Sequence, residues 1–357
     1  MGLIPDGIVD RVRQEVERNA LRARNGIKMA AGVSTVKTGV TPRDLVWRNG
    51  RARLYRYRND DVRYRPPLLI VFSVVSRAYI LDLTPGNSFV EHLLRGGFDV
   101  YMLDWGEPDE RDARNGFEYY ADAVIPAAIR EVCKRSEADE VSILGYCFGG
   151  NLTLLHGAHH PDAPIRSHTV MACPVDYTRL ELVSSLVGSD MDVDGILGDD
   201  GNVPANVVFS AFRSLRPTAE ITGYVDLLEK LWNDDYVAAY QAMNGWASDH
   251  VPLPGEITRQ MTDMLLRDNG FVEDRLVLGG DRISLKSITV PFLAVLGRKD
   301  HIVPEDAASP ILDLIGSDVK TELRLDGGHI GLVVGRTAAK TTVPTIVDFL
   351  QKQSEEC

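Results

Sequence analysis

The chain has 357 residues, of which 44% are hydrophobic and 25% are charged, and its formal net charge is −12. This length suits one large α/β domain with an insertion, or two domains, and it provides a core that needs no disulfide or metal to hold it. The acidic balance disfavours nonspecific binding of nucleic acid, although a local basic pocket for an anionic small molecule is compatible with it.

The four cysteines carry no signature of a disulfide framework or a metal site. No Cys-x-x-Cys pair occurs, and no histidine spacing typical of zinc accompanies them, so we expect no metal. The N-terminus lacks the basic flank and apolar core of a signal peptide, and no apolar run of about 18 residues occurs. We therefore expect a protein of the reducing cytoplasm without a transmembrane segment.

The first half of the chain predicts a sheet protein behind an N-terminal helix. Apolar residues recur at roughly helical spacing over residues 6–31, which predicts a long helix. Two β-type runs, 45–47 and 52–57, flank Asn49 and Gly50, and this pattern predicts a hairpin at an antiparallel edge of the sheet.

Buried strands and helices then alternate. The predicted strands are 68–72, 99–103, 141–144 and 169–173, and the predicted helices are 88–95, 117–136 and 151–158. This alternation indicates an α/β fold with a mostly parallel sheet and helices on both faces. A ligand site is expected where the strands end, at the carboxyl edge of the sheet.

The pattern changes over residues 177–285, which are helix-rich and show no parallel-strand pattern. We predict that this stretch is a cap inserted above the carboxyl edge. Residues 41–176 and 286–357 would then form the core, behind an N-terminal helical segment of residues 1–40. The last predicted elements are strands at 292–296 and 321–325 and a closing helix at 342–351.

A glycine-rich turn lies between the strand at 141–144 and the helix after it. The turn reads Gly145-Tyr146-Cys147-Phe148-Gly149-Gly150. A Gly-x-nucleophile-x-Gly segment between a strand and a helix is typical of a nucleophile elbow, in which glycines allow the strand and helix to approach closely. The pattern predicts Cys147 as the nucleophile. The alternative is a buried cysteine in a glycine-rich turn without a catalytic role.

A thiol nucleophile requires a base, and the base must be oriented by a third group. The chain order Cys147, Asp300, His329 is the order of nucleophile, acid and base in α/β-hydrolase folds. We predict His329 as the base because it lies in a loop after the final strand, opened by two glycines.

Other residues near the strand ends remain alternatives or additional candidates. His301, beside Asp300, is the rival base, or it orders that loop or contacts substrate. Asp104 and Asp176 also end strands and are weaker candidates for the acid. An oxyanion hole would use the backbone N–H of Phe148 and a second N–H from the loop at 73–77, for which we choose Val75.

A cysteine nucleophile narrows the classes of reaction that we expect. Transfer of an acyl group from a thioester to a cysteine is close to thermoneutral, and the acyl group stays activated toward a hydroxyl or an amine. This favours an acyltransferase. A cysteine-dependent hydrolase of thioesters or lactones on the same scaffold is the alternative, and a non-catalytic partner-binding protein is the alternative from another class.

The sequence resembles the polyhydroxyalkanoate synthases, closest to the short catalytic subunits of the two-subunit bacterial types (class III-like), from about residue 46 to residue 350. The segments that carry the resemblance are Gly145–Gly150, Ala78–Leu83 with Ser88–Val90, Asp99–Gly106, Asp300–Pro304 and Gly327–Gly331. The chain departs from the family pattern at Ser76-Arg77-Ala78 and through most of the cap.

The resemblance implies an α/β-hydrolase fold and polymerisation of (R)-3-hydroxyacyl-coenzyme A into polyester with release of coenzyme A. Cys147 would carry the growing chain, His329 would deprotonate it, and Asp300 would assist His329 or the incoming hydroxyl. Asp104 and His301 are candidates for residues near the substrate. No cofactor is implied, because the coenzyme A thioester is the substrate. The implied partners are a second copy, a second synthase subunit and the surface of cytoplasmic polyester granules.

Overall fold

The computed structural model describes residues 6–31, 36–180, 192–214 and 219–357. Residues 1–5, on which the signal-peptide expectation rests, lie outside the described residues. So do residues 181–191 and 215–218 of the predicted cap.

One large sheet forms the centre of the protein. Within the described ranges its main strands are β1 (Arg43–Asn49), β2 (Ala52–Tyr57), β3 (Tyr64–Val71), β4 (Phe98–Asp104), β5 (Val141–Tyr146), β6 (Ile165–Met171), β7 (Phe292–Gly297) and β8 (Lys320–Leu325). They lie side by side in the order β1-β2-β4-β3-β5-β6-β7-β8. Strands β1 and β2 form the predicted antiparallel edge, and the pairs from β4 to β8 are parallel. A short strand, Glu355–Glu356, pairs antiparallel with the start of β3.

Helices cover the sheet and build the segment between β6 and β7. They are α1 (Asp6–Ala30), α2 (Phe89–Arg95), α3 (Ile125–Ser136), α4 (Phe148–His159), α5 (Ala205–Ser214), α6 (Ala219–Lys230), α7 (Asp234–Ser248), α8 (Gly255–Gln260), α9 (Glu305–Ala308), α10 (Ile311–Leu314), α11 (Gly335–Thr337) and α12 (Val343–Lys352). π-Helical segments precede α3 (Glu118–Val124), follow α8 (Met261–Arg267) and precede α12 (Ala338–Thr342). Short antiparallel ladders join Asp82–Thr84 to Asn87–Ser88, Asn202–Val203 to Leu253–Pro254, and Val277–Leu278 to Asp281–Arg282.

Each face of the sheet carries its own hydrophobic core. In β3, Leu69 and Val71 belong to the cluster that includes α3 and α4, whereas Leu68 and Ile70 belong to the cluster that includes α2 and α12. Successive side chains of a strand point to opposite faces, so a strand buried on both faces must be apolar throughout. This explains why the uninterrupted apolar run at 68–72 is a central strand.

Helix α1 packs against the described part of the predicted cap. Arg24 pairs with Asp234 at the start of α7, and Asn25 donates a hydrogen bond to the Leu231 carbonyl oxygen over 2.8 Å. The guanidinium of Arg18 lies 4.5 Å above the ring of Trp232. The N-terminal helix is therefore fixed to the corner between α6 and α7. None of the helices in the described ranges combines the length and apolar character that a bilayer span requires.

Strand β6 differs from its predicted bounds. The sequence predicts 169–173, but the strand spans Ile165–Met171 and pairs with β5 from Val141 onward. It ends at Met171 because Ala172 takes a positive φ of 47°, which extended backbone does not allow. Arg166 and His168 interrupt the apolar pattern at the start of the strand, which is why sequence periodicity misses that part. The domain boundaries at 41, 177 and 286 stay predictions.

Candidate active site

Cys147 occupies the sharp turn between β5 and α4. Its backbone has φ 55° and ψ −129°, a conformation that is rare for a residue with a Cβ. Its N–H donates to the Met171 carbonyl oxygen over 2.9 Å, and its own carbonyl accepts from Gly150 over 2.8 Å. The turn is thus held from both sides, and the Cys147 side chain remains partly exposed at the carboxyl edge of the sheet.

Two of the elbow glycines allow this close approach. A Cβ on Gly145 would lie 2.5 Å from the Gly150 Cα, and a Cβ on Gly149 would overlap the Val71 carbonyl oxygen at the end of β3. Real Cβ atoms do not come this near, so the first turn of α4 reaches the sheet only with glycine at these positions. The motif therefore has the physical role that the sequence pattern predicts.

Asp300 and His329 come together from the loops after β7 and β8. The Asp300 Oδ2 and His329 Nδ1 are 2.7 Å apart, and both side chains are buried. The two loops are joined by their backbones as well, because the Lys299 N–H donates to the Gly327 carbonyl oxygen over 3.1 Å. Gly297 permits this contact, since a Cβ there would lie 2.6 Å from the same Gly327 oxygen.

The charges around His329 favour its protonated form. Burial lowers the pKa of His329, but the charges of Asp300 and Cys147, together with hydrogen bonds to both side chains, raise that pKa to about 10. The ring contacts Asp300 through Nδ1, which leaves Nε2 for Cys147. A protonated imidazole beside a cysteine stabilises the thiolate, which is the reactive form of the nucleophile. The structure thus brings Cys147, Asp300 and His329 together, as the chain order predicts.

Tyr146 is a contact of His329 that the sequence analysis misses. Its hydroxyl donates to the His329 carbonyl oxygen over 3.2 Å, and the two ring centroids are 5.1 Å apart. On its other side the Tyr146 ring stacks on Phe72, with 5.6 Å between centroids. Tyr146 directly precedes the nucleophile, so the aromatic character of that motif position is the signal that could have suggested a positioning role.

The two backbone N–H groups that we predict for the oxyanion hole differ in their hydrogen bonding. Phe148 begins α4, so its N–H belongs to the first turn, whose amides have no acceptor within the helix and form the positive end of the helix dipole. Val75 lies in the loop after β3. Its N–H donates to the Ser73 hydroxyl over 3.4 Å, and its carbonyl is 3.3 Å from His250 Nδ1. The Val75 N–H can serve an oxyanion only by exchanging this long hydrogen bond.

The remaining sequence candidates make local contacts of their own. His301 is exposed, and the Asp300 carboxylate contacts His329 rather than this rival base. Asp104 accepts a hydrogen bond from the Gly106 N–H. It is the last residue of β4 and pairs with Arg53 of β2. The Asp176 carboxylate accepts from the backbone N–H of Thr178, so it caps a turn.

The described part of the predicted cap contacts the loop that holds Val75. Trp246 Nε1 donates to the Arg77 carbonyl oxygen over 2.7 Å, and Asp249 accepts from Arg77 Nε at 3.2 Å. Asp249 also accepts from the Tyr79 hydroxyl at 3.1 Å. The end of α7 is therefore fastened to the predicted oxyanion loop, and a movement of this segment would move that loop.

The arrangement is suited to covalent acyl transfer. A thiol at a strained, partly exposed turn can attack a carbonyl carbon, and the adjacent imidazole can hold or deliver a proton. The helix N-terminus at Phe148 can stabilise the negative oxygen of the tetrahedral state.

Comparison with known protein families identifies the fold. Residues 81–335 match the family model described as alpha/beta hydrolase fold, and residues 12–93 match the model described as the N-terminus of poly-beta-hydroxybutyrate polymerase (PhaC). The predicted fold class is thereby confirmed.

Several curated proteins are similar over most of their length. The chain is 33% identical to a poly(3-hydroxyalkanoate) polymerase subunit PhaC of Thiocystis violacea, and the alignment covers 97% of this chain and 98% of that protein. It is 33% identical to the protein of the same name from Allochromatium vinosum, with 96% and 98% covered. A relative of the same name from Haloferax mediterranei is 31% identical, with 91% and 67% covered.

Among solved structures, a chain from Burkholderia cenocepacia described as a candidate aryl esterase superposes with a TM-score of 0.50 at 13% identity. The superposition covers 87% of this chain and 99% of that one. At this identity the likeness concerns the fold alone.

Proposed function

The chain belongs to the poly(3-hydroxyalkanoate) polymerase family, and on this premise we propose that it polymerises (R)-3-hydroxyacyl-coenzyme A into polyhydroxyalkanoate with release of coenzyme A. One observation supports assigning this activity to particular residues. Cys147 lies at the strained elbow, beside a histidine that Asp300 holds. Cys147 is the proposed nucleophile, His329 the base and Asp300 the orienting acid.

In the first step the Cys147 sulfur attacks the thioester carbonyl carbon. The new C–S bond to Cys147 forms, the C–S bond to coenzyme A breaks, and the proton held by His329 passes to the coenzyme A sulfur. The negative oxygen of the tetrahedral state lies near the N-terminus of α4, where the Phe148 N–H is available. The raised pKa of His329 supports this step, because a protonated ring both stabilises the attacking thiolate and supplies the proton.

In the second step a hydroxyl group attacks the acyl group on Cys147. The ester C–O bond forms, the C–S bond to Cys147 breaks, and the hydroxyl proton passes to His329. When the hydroxyl belongs to the next hydroxyacyl-coenzyme A, the extended acyl chain returns to Cys147 by the first step and coenzyme A leaves. Repetition lengthens the polyester by one unit for each coenzyme A released.

Asp300 is proposed to act on His329 rather than on the hydroxyl. Its Oδ2 contacts His329, and its Oδ1 accepts from the N–H groups of Ile302 and Val303 over 2.9 and 2.8 Å. The carboxyl side chain is fully buried, so neither oxygen faces an incoming substrate. The proposal requires no cofactor besides the coenzyme A of the substrate.

The proposed partners are a second copy of the chain, a second synthase subunit and the surface of cytoplasmic polyester granules. Exposed hydrophobic side chains on α1 and α6 support a partner surface. These are Val16, Ile27, Tyr224 and Leu228. Light scattering of the chain, with and without the Val16→Ser/Ile27→Ser pair, tests self-association. Partition of the same two proteins onto washed polyester granules tests granule binding. Unchanged behaviour in both measurements would remove α1 from the proposal.

Intact-mass analysis after brief exposure to 3-hydroxybutyryl-coenzyme A tests the covalent step. One hydroxybutyryl adduct is expected on the wild-type chain and on Cys357→Ala, which removes an exposed cysteine at the C-terminus. No adduct is expected on Cys147→Ala. An adduct that persists in Cys147→Ala would show that another residue is the nucleophile.

A product assay separates polymerisation from hydrolysis on the same scaffold. Released coenzyme A is counted against insoluble polyester and free 3-hydroxybutyrate, with and without the second subunit of a related synthase. Polyester in either mixture supports the proposal. Free acid in both mixtures, with the Cys147 adduct intact, would identify a thioester hydrolase instead.

A further inference from the structure

Three side chains that can bind a metal ion lie together at the end of α4 opposite the elbow. They are Asp122, from the π-helical segment before α3, and the adjacent residues His159 and His160, and their donor atoms all lie within 4.8 Å of one another. His160 Nε2 contacts Asp122 Oδ1, and His159 Nδ1 lies 3.2 Å from the same oxygen. Helix α4 has 12 residues, so the cluster is about 18 Å along its axis from Cys147.

His160 is hydrogen-bonded to Asp122, but one ring nitrogen of His159 has no hydrogen-bond partner among the described residues. His159 Nδ1 is buried and, in the part of the chain that the structure describes, it makes no hydrogen bond despite its distance from Asp122. The two atoms are close enough for an ion pair, but they are not aligned as hydrogen-bond donor and acceptor.

His156 supplies a second, independent observation. It is 1% exposed, its Nδ1 donates to the Ala121 carbonyl oxygen over 2.8 Å, and its Nε2 is buried without a partner among the described residues. Because Nδ1 carries the proton that is donated to this carbonyl oxygen, Nε2 of the neutral ring carries a lone pair. Its ring centroid is 5.0 Å from that of His160, and both line the same surface pocket of about 410 Å³.

We propose that Asp122, His159 and His160 bind one divalent transition-metal ion of the Zn²⁺ class. Two imidazole nitrogens and a carboxylate oxygen are ligands that Zn²⁺ prefers, at about 2.0–2.2 Å from the ion. In tetrahedral geometry these bonds place neighbouring ligand atoms about 3.3 Å apart, close to the 3.2 Å between His159 Nδ1 and Asp122 Oδ1. His160 Nε2 lies closer than this to the same oxygen and has to move outward when the ion enters. The pocket provides room for a water, or for His156 after a rotation of its ring, in the fourth position.

The carboxylate of Asp281 lies near His159, where it can support a metal-binding histidine from outside the site. Asp281 Oδ2 is 3.6 Å from His159 Nε2, the ring nitrogen that faces away from Asp122. Histidines that bind metals usually donate their other N–H to a carboxylate, which fixes the ring. Asp281 belongs to the hairpin near the end of the predicted cap, so the ion would tie this hairpin to α4 and to the helix of Asp122.

The proposed role is stabilisation of the fold rather than chemistry on the acyl group, since the site and Cys147 are at opposite ends of α4. The simpler explanation of the same contacts is an ion pair between Asp122 and His160 without a metal. The two explanations differ in whether the protein binds an ion with a defined stoichiometry.

Metal titration of the chelator-treated full-length chain tests the proposal. Calorimetry with Zn²⁺ alone is expected to give about one equivalent bound, and Co²⁺ is expected to give visible bands of a nitrogen–oxygen site. The near-ultraviolet band of a Co²⁺–thiolate bond should be absent, which separates this site from Cys147. Zn²⁺ should raise the Tm of the wild-type chain, because a ligand that binds only the folded state stabilises it.

Matched variants locate the ion. His159→Gln and His160→Gln should each weaken binding by at least about tenfold, and Asp281→Asn by about 10–100-fold. His92→Gln, on the distant helix α2, should bind as the wild type does. The Asp281 side chain is 80% exposed, so its variant tests the site without threatening the fold. Absence of stoichiometric binding, or binding that survives in His159→Gln/His160→Gln, would overturn the proposal.

Discussion

The Asp300 carboxylate holds His329 with one oxygen and its own loop with the other. Oδ2 lies 2.7 Å from His329 Nδ1, while Oδ1 accepts hydrogen bonds from the N–H groups of Ile302 and Val303. Because the carboxylate is immobilised by its own backbone, the imidazole is fixed with Nδ1 toward Asp300 and Nε2 toward Cys147. The buried Asp300 carboxylate therefore determines which ring nitrogen of His329 faces Cys147.

Replacing Asp300 with Asn should reduce turnover strongly. The amide keeps the shape but removes the charge that raises the pKa of His329 and can favour the wrong ring tautomer. We expect kcat to fall by about 10²–10⁴-fold. The rate of coenzyme A release from 3-hydroxybutyryl-coenzyme A measures this fall in kcat. The control is Asp306→Asn, which changes an exposed carboxylate on α9. Turnover of Asp300→Asn equal to that of the control would remove Asp300 from the site.

The raised pKa of His329 predicts a stability that depends on pH. The pKa is about 10 in the folded state and 6.5 as the ordinary value. A folded pKa above the unfolded one stabilises the fold fully below pH 6.5, and this contribution is lost as pH rises toward 10. The free energy of unfolding of the wild type should therefore exceed that of His329→Gln most at pH 6 and least at pH 10. Urea unfolding measures both.

The same urea-unfolding measurements in a Cys147→Ser background test whether Cys147 contributes to the raised pKa of His329. Because the charge of Cys147 helps to raise the pKa of His329, the stability difference should disappear at a lower pH in this background. A difference between wild type and His329→Gln that does not change with pH would contradict the assignment of His329 as a protonated partner.

Tyr146 should affect catalysis by holding His329 in position. Tyr146→Phe removes the hydroxyl that donates to the His329 carbonyl, which should cost about 1 kcal/mol of stability. Tyr146→Leu also removes the stacking on Phe72 and the ring contact with His329, and it should lower kcat further, with KM changed less. Urea unfolding and steady-state rates measure both variants. Equal kcat values for the two would show that the aromatic ring does not position the base.

Gly149→Ala should destabilise the protein although alanine favours helices. The added Cβ would overlap the Val71 carbonyl oxygen, so the start of α4 must move away from the sheet, at a cost of about 1–3 kcal/mol. Gly245→Ala in α7 is the matched control. A Cβ there meets no atom within 4 Å, and the change should stabilise by up to about 1 kcal/mol. Thermal unfolding of both variants compares them; the same sign for both would refute the steric argument.

Loosening the end of α7 should loosen the predicted oxyanion loop. Asp249→Asn weakens the contacts to Arg77 and Tyr79, whose atoms lie 3.2 and 3.1 Å from the carboxylate. Since the pair is partly exposed, the change in stability should stay below about 1 kcal/mol. Hydrogen exchange of residues 73–79 and 244–250 should nevertheless become faster than in Arg95→Ala, which breaks an exposed ion pair on α2. Equal exchange in both variants would separate this helix end from the loop.

The amino-acid sequence was sufficient where local pattern and chain order carry the information. The glycine-rich elbow around Cys147 depends on residues adjacent in sequence, and the apolar run at 68–72 must be buried on both faces. The positions of Asp300 and His329 followed from their place after strands, because the carboxyl ends of parallel strands share an edge. The sequence reasoning was less accurate for β6, whose polar residues at 166 and 168 conceal its start.

The contacts that depend on distant segments were decided by the tertiary structure alone. Three sets of contacts join residues whose side-chain directions no local pattern encodes. They are the hydrogen bonds that immobilise the Asp300 carboxylate, the packing of Tyr146 on His329, and the meeting of Asp122 with His159 and His160. A strand or helix period fixes the face on which a side chain lies. The distance and angle to a partner on another element are fixed only when the two elements pack, and these determine which side chains form hydrogen bonds, ion pairs or a metal site.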